Sequence, residues 1–238
     1  MKKLLILALP VVLMGCSELS QVAKGIEKEA RSYTQNGGAL SDLDISNGLK
    51  EALKVGTGNT VSRLTKAGGY FNNANLRIPF PAEFTKVADR MRDMGFSKLV
   101  NDFEKSMNTG AEKAAAKAKP IFVSAITAMT LNDARKILMD GNGAATDYFK
   151  RVSQQKLYQA YYPSIKTALN QVNATKYWTD ITSRYNKIPF VEKVNTDLTD
   201  YVTNKALTGL FSEVEKEENK IRTNPSARVN DLLRKVFK

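Results

Sequence analysis

The chain has 238 residues, of which 42% are hydrophobic and 25% charged, enough apolar content for one large domain or two small ones. Its 36 Lys and Arg outnumber its 24 Asp and Glu, so the net charge is +12 at pH 7. It contains no histidine and a single cysteine, which excludes Ser-His-Asp and Cys-His catalytic pairs, imidazole metal ligands and an internal disulfide.

The first sixteen residues have the pattern of a bacterial lipoprotein signal peptide. Lys2 and Lys3 precede an apolar run at 4–14, and Gly15 lies just before Cys16. The run is shorter than the roughly 20 apolar residues that span a bilayer. We therefore predict a signal peptide at 1–15, cleavage before Cys16 and lipid on its thiol.

An ordinary secretory signal is the alternative, because Met14 is not the small or hydroxyl residue usual two positions before a lipidated cysteine. Ser17, in place of an aspartate, favours the outer membrane over the inner one. We expect the chain to be anchored in the cell envelope and to face the periplasm. Residues 16–40 then form the lipidated N-terminus and a tether, with a short charged helix at 17–32.

The basic charge of an exported chain meets envelope anions rather than nucleic acid. Candidate partners are a lipid, lipopolysaccharide or another envelope protein, besides the membrane reached through the N-terminal lipid. A solvated basic surface that aids solubility is the alternative.

Residues 41–118 predict helices around one extended segment. Ser41 and Asp44 have the spacing of a capping box, and an apolar helical face follows to residue 64, interrupted at Gly56 and Gly58. The prolines of LRIPFP force an extended segment near 75–81. Further helical patterns cover 83–94, 99–107 and the alanine-lysine stretch 111–118.

The helical pattern continues to the C-terminus. Thr130 and Asp133 cap a short helix, and the loop at 140–143 (DGNG) is a glycine turn, because Ala144, Ala145 and Arg151 stand where a calcium loop needs other residues. The remaining patterns cover 120–129, 130–139, 144–172, 177–185, 197–222 and 225–237. We predict one irregular all-α domain of about eight to ten helices over residues 41–238.

Two clusters of side chains admit both a functional and a structural interpretation. Glu213 and Glu217, beside Lys220 and Arg222, could act as acid and base, but their spacing on a helix favours surface ion pairs. A set of aromatic residues has two interpretations. It could line a ligand groove, or it could fill the core with its polar atoms at the edge. The set comprises Tyr158, Tyr161, Tyr162, Tyr177, Trp178 and Tyr185.

Several stretches resemble a family of bacterial lipoproteins classed as a domain of unknown function, DUF4197. The resemblance covers about 40–237 and implies an exported, helical, single-domain protein. It implies no catalytic or binding residue. The stretches are LRIPFP (76–81), AKPIF (118–122), AATDYF (144–149), YVTNKALTGLF (201–211), IRTNPSAR (221–228) and DLLRKVF (231–237).

Five cations lie in or beside these stretches, near helix starts or breaks, where anions are favoured. We predict that some converge on an anionic headgroup or on internal carboxylates. They are Arg77, Lys119, Lys205, Arg222 and Arg228.

We favour a non-enzymatic binding or scaffold module, without cofactor or metal, for an anionic or amphipathic envelope component or a partner protein. The alternative is a hydrolase-type enzyme that uses carboxylate, serine or lysine chemistry. A lipid carrier predicts an apolar cavity of several hundred Å³, whereas a scaffold predicts an exposed apolar or basic patch. An enzyme predicts a cleft of converging groups with perturbed pKa values.

Overall fold

The structure is a computed structural model that describes residues 41–171, 173–187, 189–190 and 193–228, without the side chains of residues 83, 87, 177, 181, 184 and 225. The predicted signal peptide at 1–15, Cys16, the tether at 16–40 with its helix, and residues 229–237 of the last predicted helix lie outside these residues. The described part is all-helical in class: its regular elements are helices, and it contains no β-strand. No helix there is long and apolar enough to cross a membrane.

Helices follow one another along the described chain. Three short segments, Ala82–Phe84, Arg92–Phe96 and Pro225–Ala227, form helical turns between or after them. The helices are α1 (Asp42–Leu64), α2 (Thr85–Met91), α3 (Ser97–Ala115), α4 (Ala118–Ala128), α5 (Leu131–Met139), α6 (Ala144–Asn170), α7 (Ala174–Tyr185) and α8 (Leu198–Thr223).

The predicted count of eight to ten helices is too high. Six helices of eleven or more residues build the described fold, whereas α2 and α5 have only seven and nine residues. Part of the excess arises at α3, which joins the predicted stretches 99–107 and 111–118 into one helix. Gly110 does not break it, because this glycine is buried against α6.

Both predicted helix caps are present. The hydroxyl of Ser41 accepts a hydrogen bond from the backbone N–H of Asp44 at 3.1 Å, and the Asp44 carboxylate accepts one from the Ser41 N–H at 3.2 Å. Thr130 and Asp133 form the same reciprocal pair at the start of α5. Each pair satisfies amide groups that the first helical turn leaves without a partner, so both helix starts are confirmed.

α1 is continuous, which corrects the expected interruption at Gly56 and Gly58. Gly56 is buried, and a Cβ there would lie 3.3 Å from Cδ1 of Ile221 on α8. The glycine thus permits a close approach of α1 and α8. This contact counteracts the roughly 1 kcal/mol of helix propensity that a glycine costs at position 56, whereas a Cβ at Gly58 would have no neighbour within 4 Å.

The core is organised around α6 and α8. α8 packs against α1 and α6, and α6 packs in addition against α3 and α4. Side chains from nearly every turn of α8 are buried, including Val202, Leu210 and Phe211. A helix that is buried on more than one side lies inside the domain rather than on its surface.

Residues 77–81 are neither helical nor paired with a strand, and the side chain of Asn108 on α3 holds them in place. The Asn108 amide accepts a hydrogen bond from the Ile78 N–H at 2.8 Å and donates one to the Ile78 carbonyl at 2.9 Å. Asn108 is fully buried. It therefore supplies the backbone partners that a neighbouring strand supplies in a sheet.

We predict that Asn108→Leu lowers the free energy of unfolding by about 3 kcal/mol, because the buried N–H and C=O of Ile78 lose their partners without a large change in side-chain volume. Urea unfolding followed by circular dichroism measures this. The matched control is Asn101→Leu, at an exposed position of the same helix, which should change stability by less than about 0.5 kcal/mol. Equal stability of the two variants would contradict the assignment.

Candidate functional site

Arg77 pairs with a buried carboxylate. Its guanidinium makes two hydrogen bonds to Glu104 on α3, at 3.1 and 2.9 Å, and lies 4.3 Å from the ring centroid of Phe71. A second guanidinium, that of Arg92, lies 3.8 Å from Glu104. Arg77 is thus occupied by an internal partner that holds the start of the extended segment.

Arg222 and Arg228 meet at the end of α8. Arg222 binds the buried Glu218 carboxylate through Nε and Nη2, at 3.0 and 2.9 Å, and donates to the Ile137 carbonyl. Arg228 donates to the carbonyls of Ile221 and Arg222. Two of the five predicted cations therefore close the C-terminal end of the last described helix.

The two lysines of the set are exposed and form no ion pair with any described residue. Lys119 lies in the first turn of α4. Lys205 lies in the second turn of α8, seventeen positions before Arg222, which corresponds to roughly 25 Å along a helix axis. The five cations are therefore not gathered at one point.

Lys205 lies at a cleft of about 260 Å³ between the extended segment and helices α7 and α8. Apolar and aromatic side chains form most of its wall. The lining residues are Pro79, Phe80, Pro81, Ala82, Trp178, Val194, Asn195, Tyr201 and Lys205.

Hydrogen bonds and ring contacts fix the walls of the cleft. The Tyr201 hydroxyl donates to the Pro79 carbonyl at 3.1 Å, and the Trp178 indole N–H donates to the Asn195 carbonyl at 3.0 Å. Phe80 stacks on Phe103, with ring centroids 4.8 Å apart. Because their polar atoms are bonded within the protein, the rings of Trp178 and Tyr201 present mainly apolar surface to the cleft.

The cleft combines this apolar surface with one cation at its edge. The Lys205 ammonium is 5.8 Å from the Tyr201 ring centroid and has no carboxylate partner among the described residues. Such an arrangement fits a ligand with an apolar part and a negative group. The volume of the cleft is smaller than that of a pocket that encloses a whole lipid.

The predicted aromatic set divides between the core and the cleft. Trp178 lines the cleft, whereas Tyr161 is fully buried in the core and its hydroxyl has no partner among the described residues. Tyr158 and Tyr162 donate to carboxylates of α8 and of the residue before it. The side chain of Tyr177 lies outside the described part.

The sequence interpretation missed most of the cleft. Tyr201 lies four residues before Lys205, a spacing that places two side chains on the same helix face, and this spacing is a sequence signal for its position. The sequence pattern at Pro79 and Phe80 predicts an extended backbone but no contribution to a cleft. The contribution of Val194 and Asn195 has no sequence signal, because it depends on how the loop before α8 folds back over α7.

The pair Glu213 and Glu217 is structural. Both carboxylates are buried and face Arg63 of α1, at 3.5 and 2.7 Å, so they join two helices. They also form the ion pairs expected within the helix, with Lys216 and Lys220. Glu217 also accepts a hydrogen bond from Asn59. An acid-base role needs a cleft that reaches these groups, and neither lines one of the described clefts of this region.

A second cleft, of about 310 Å³, lies between α5 and α6 and contains charges of both signs. Asp133 forms an ion pair there with Arg151. Hydrogen bonds lower the pKa of Asp133, and the bond from the Thr130 hydroxyl makes the largest contribution. The lowered pKa favours the ionised carboxylate, opposite to what a general acid needs. No group of three or more metal-ligating side chains occurs in the described part of the chain.

The described part is a helical domain with a cleft that combines apolar walls and one cation. Residues 39–238 match the family model described as a protein of unknown function, DUF4197. The chain belongs to this family, which confirms the resemblance seen in the sequence. No curated protein and no solved structure matches the chain.

We predict that Asp200→Asn lowers the pKa of Tyr158. The hydrogen bond from the Tyr158 hydroxyl to the Asp200 carboxylate, 2.6 Å long, raises that pKa to about 12. Ionising the phenol would break this bond and place two negative charges together, so the neutral amide removes the shift. NMR of ¹³C-tyrosine should show Tyr158 neutral at about pH 11 in the wild type and mostly ionised in the variant.

Tyr162 is the internal comparison, because its raised pKa is due mainly to the hydrogen bond to Asp197 and least of all to the charge of Asp200, so it should stay raised. Asp93→Asn, at an exposed carboxylate, is the control variant and should leave both tyrosines unchanged. Unchanged titration of Tyr158 in Asp200→Asn would contradict the assignment.

Proposed function

We propose that the chain is a lipoprotein anchored in the cell envelope through Cys16, and that its helical domain binds an anionic, amphipathic envelope component. The observation that carries this proposal is the cleft at Lys205, where aromatic walls and an uncompensated ammonium lie together. The protein then acts as a non-enzymatic binding module that faces the periplasm, at the outer membrane.

The shape of the cleft supports a ligand that inserts only part of itself. About 260 Å³ admits a ring, the end of an acyl chain or one side chain, while the Lys205 ammonium pairs with a phosphate or carboxylate at the rim. Among the described residues that line the cleft, Lys205 alone carries a full charge. Its removal should therefore weaken binding without disturbing the apolar walls.

We expect protein extracted from its own membranes to retain a bound amphiphile, detected as added mass by native mass spectrometry. Lys205→Gln should lose most of it, because the negative group loses its counter-charge at the cleft. Lys119→Gln is the matched control, since it removes the same charge from an exposed lysine that does not line the cleft, and it should retain the amphiphile.

Equal retention by both variants would contradict the assignment of the cleft. Retention of a protein instead of an amphiphile would replace the proposed ligand class by a partner protein. The same comparison of variants then shows whether that partner contacts Lys205.

The anchor is tested separately. An alkyne-labelled fatty acid fed to the cells should label the wild-type protein and not Cys16→Ala, because the thiol is the attachment point. The wild-type mature chain should begin at Cys16. A mature chain that begins elsewhere, or label retained by the variant, would contradict lipidation and would favour an ordinary secretory signal.

A further inference from the structure

A groove of about 390 Å³ lies between the C-terminal end of α3, with the turn that follows it, and the last three turns of α6. It shares no residue with the cleft at Lys205. One wall carries Lys113 and Lys117, and the other carries α6 residues that include Ser164. The lining contains no carboxylate. The lining residues are Lys113, Lys117, Ala160, Pro163, Ser164, Thr167, Ala168 and Gln171.

Small residues bring the two walls together. Gly110 of α3 is so close to α6 that a Cβ at this position would lie 3.4 Å from the Cβ of Ala168 and 3.7 Å from Cα of Ile165. Helices that approach this closely leave little depth between their backbones. The long side chains of Lys113 and Lys117 therefore stand at the rim of a shallow groove.

The two ammonium groups lack counter-charges. Neither lysine forms an ion pair with a described residue. Lys113 and Lys117 share this state with most of the described lysines, whereas five others pair with a carboxylate three or four residues away. These pairs are Lys54–Glu51, Lys98–Asp102, Lys150–Asp147, Lys216–Glu213 and Lys220–Glu217.

The helix dipole accounts for only part of this arrangement. A cation near the C-terminus of α3 is favoured by roughly 0.3–1 kcal/mol whether or not a ligand binds. The helix dipole explains neither the presence of a second lysine nor the polar groups on the facing wall of the groove. Two like charges at one groove repel each other, and a bound anion removes that repulsion.

The polar groups of the groove favour an anion rich in acceptor oxygens. The Ser164 hydroxyl and the Gln171 amide can donate, in addition to the two ammonium groups. The Thr167 hydroxyl already donates to the Pro163 carbonyl at 2.9 Å. These donors have no carboxylate beside them to bind, so they suit a phosphate group. The oxygens of an ionised phosphate act only as hydrogen-bond acceptors.

We propose that this groove is a phosphate-binding site, occupied by a phosphate group that is either free or part of a lipid headgroup. The site goes beyond the proposed amphiphile cleft, since the two share no lining residue. It provides a second contact by which a tethered basic domain can engage envelope phosphates.

The test compares two double variants of equal net charge. Lys113→Gln/Lys117→Gln removes the groove cations, and Lys98→Gln/Lys150→Gln removes two ion-paired surface lysines from α3 and α6, the two helices that form the groove. Binding of inorganic pyrophosphate is followed by backbone amide NMR at about 150 mM salt, where weak surface attraction is largely screened.

We expect saturable shifts at residues 110–118 and 160–171 in the wild type. The groove variant should bind about tenfold more weakly, because charge-assisted hydrogen bonds are lost, and the control variant should bind within about twofold of the wild type. The readout is confined to residues 110–118 and 160–171, none of which lines the cleft at Lys205, so this result is independent of the amphiphile proposal.

A second arm uses vesicles of phosphatidylcholine with about 20 mol % phosphatidic acid. If the protein binds the vesicles but not pyrophosphate, the site is assigned to lipid headgroups. This assignment requires that the groove variant loses vesicle binding and the control variant keeps it. Absence of binding to both probes, or equal weakening in both double variants, would overturn the proposal.

Discussion

The fold depends on glutamates that are buried and hydrogen-bonded within the protein. Five are buried in the described part, and each accepts hydrogen bonds from an arginine, a lysine or backbone amides. Removing one partner of such a buried pair typically costs several kcal/mol, since the remaining charge stays in a poorly solvating interior. The five are Glu104, Glu112, Glu213, Glu217 and Glu218.

Two of these carboxylates accept hydrogen bonds from backbone N–H groups at a helix start or in a turn. Glu218 accepts from the backbone N–H groups of Ala145 and Thr146, at 3.1 and 3.0 Å, and thereby caps α6 from α8. Glu112 accepts from the N–H groups of Tyr70 and Phe71 in the turn after α1. A carboxylate at a helix N-terminus is stabilised by the helix dipole, so Glu218 occupies the position where an external anion could bind.

This arrangement separates structural cations from cations available to a ligand. Arg63, Arg77 and Arg222 are committed to buried glutamates, whereas Lys205 has no carboxylate partner in the described fold. The glutamates also position the cleft, because Arg77 and Glu104 hold the extended segment against α3. Lys205 then projects from the rigid α8 that forms the opposite wall.

Local signals in the sequence predicted the local structure well. The Ser41 and Thr130 caps depend on residues three positions apart, and the prolines of 76–81 exclude a helix there, so neither depends on the tertiary fold. The continuity of α1 through Gly56 was not predictable, since it depends on contact with Ile221 at the far end of the chain. The burial of Glu213 and Glu217 likewise depends on Arg63, about 150 residues earlier.

The most direct test of the central claim is a crystal structure of the protein purified from its own membranes with the bound component retained. The account predicts an amphiphile whose apolar part contacts Trp178 and Tyr201 and whose negative group lies within hydrogen-bond distance of Lys205 Nζ. An amphiphile bound in the core between α6 and α8, with the cleft at Lys205 empty, would contradict it.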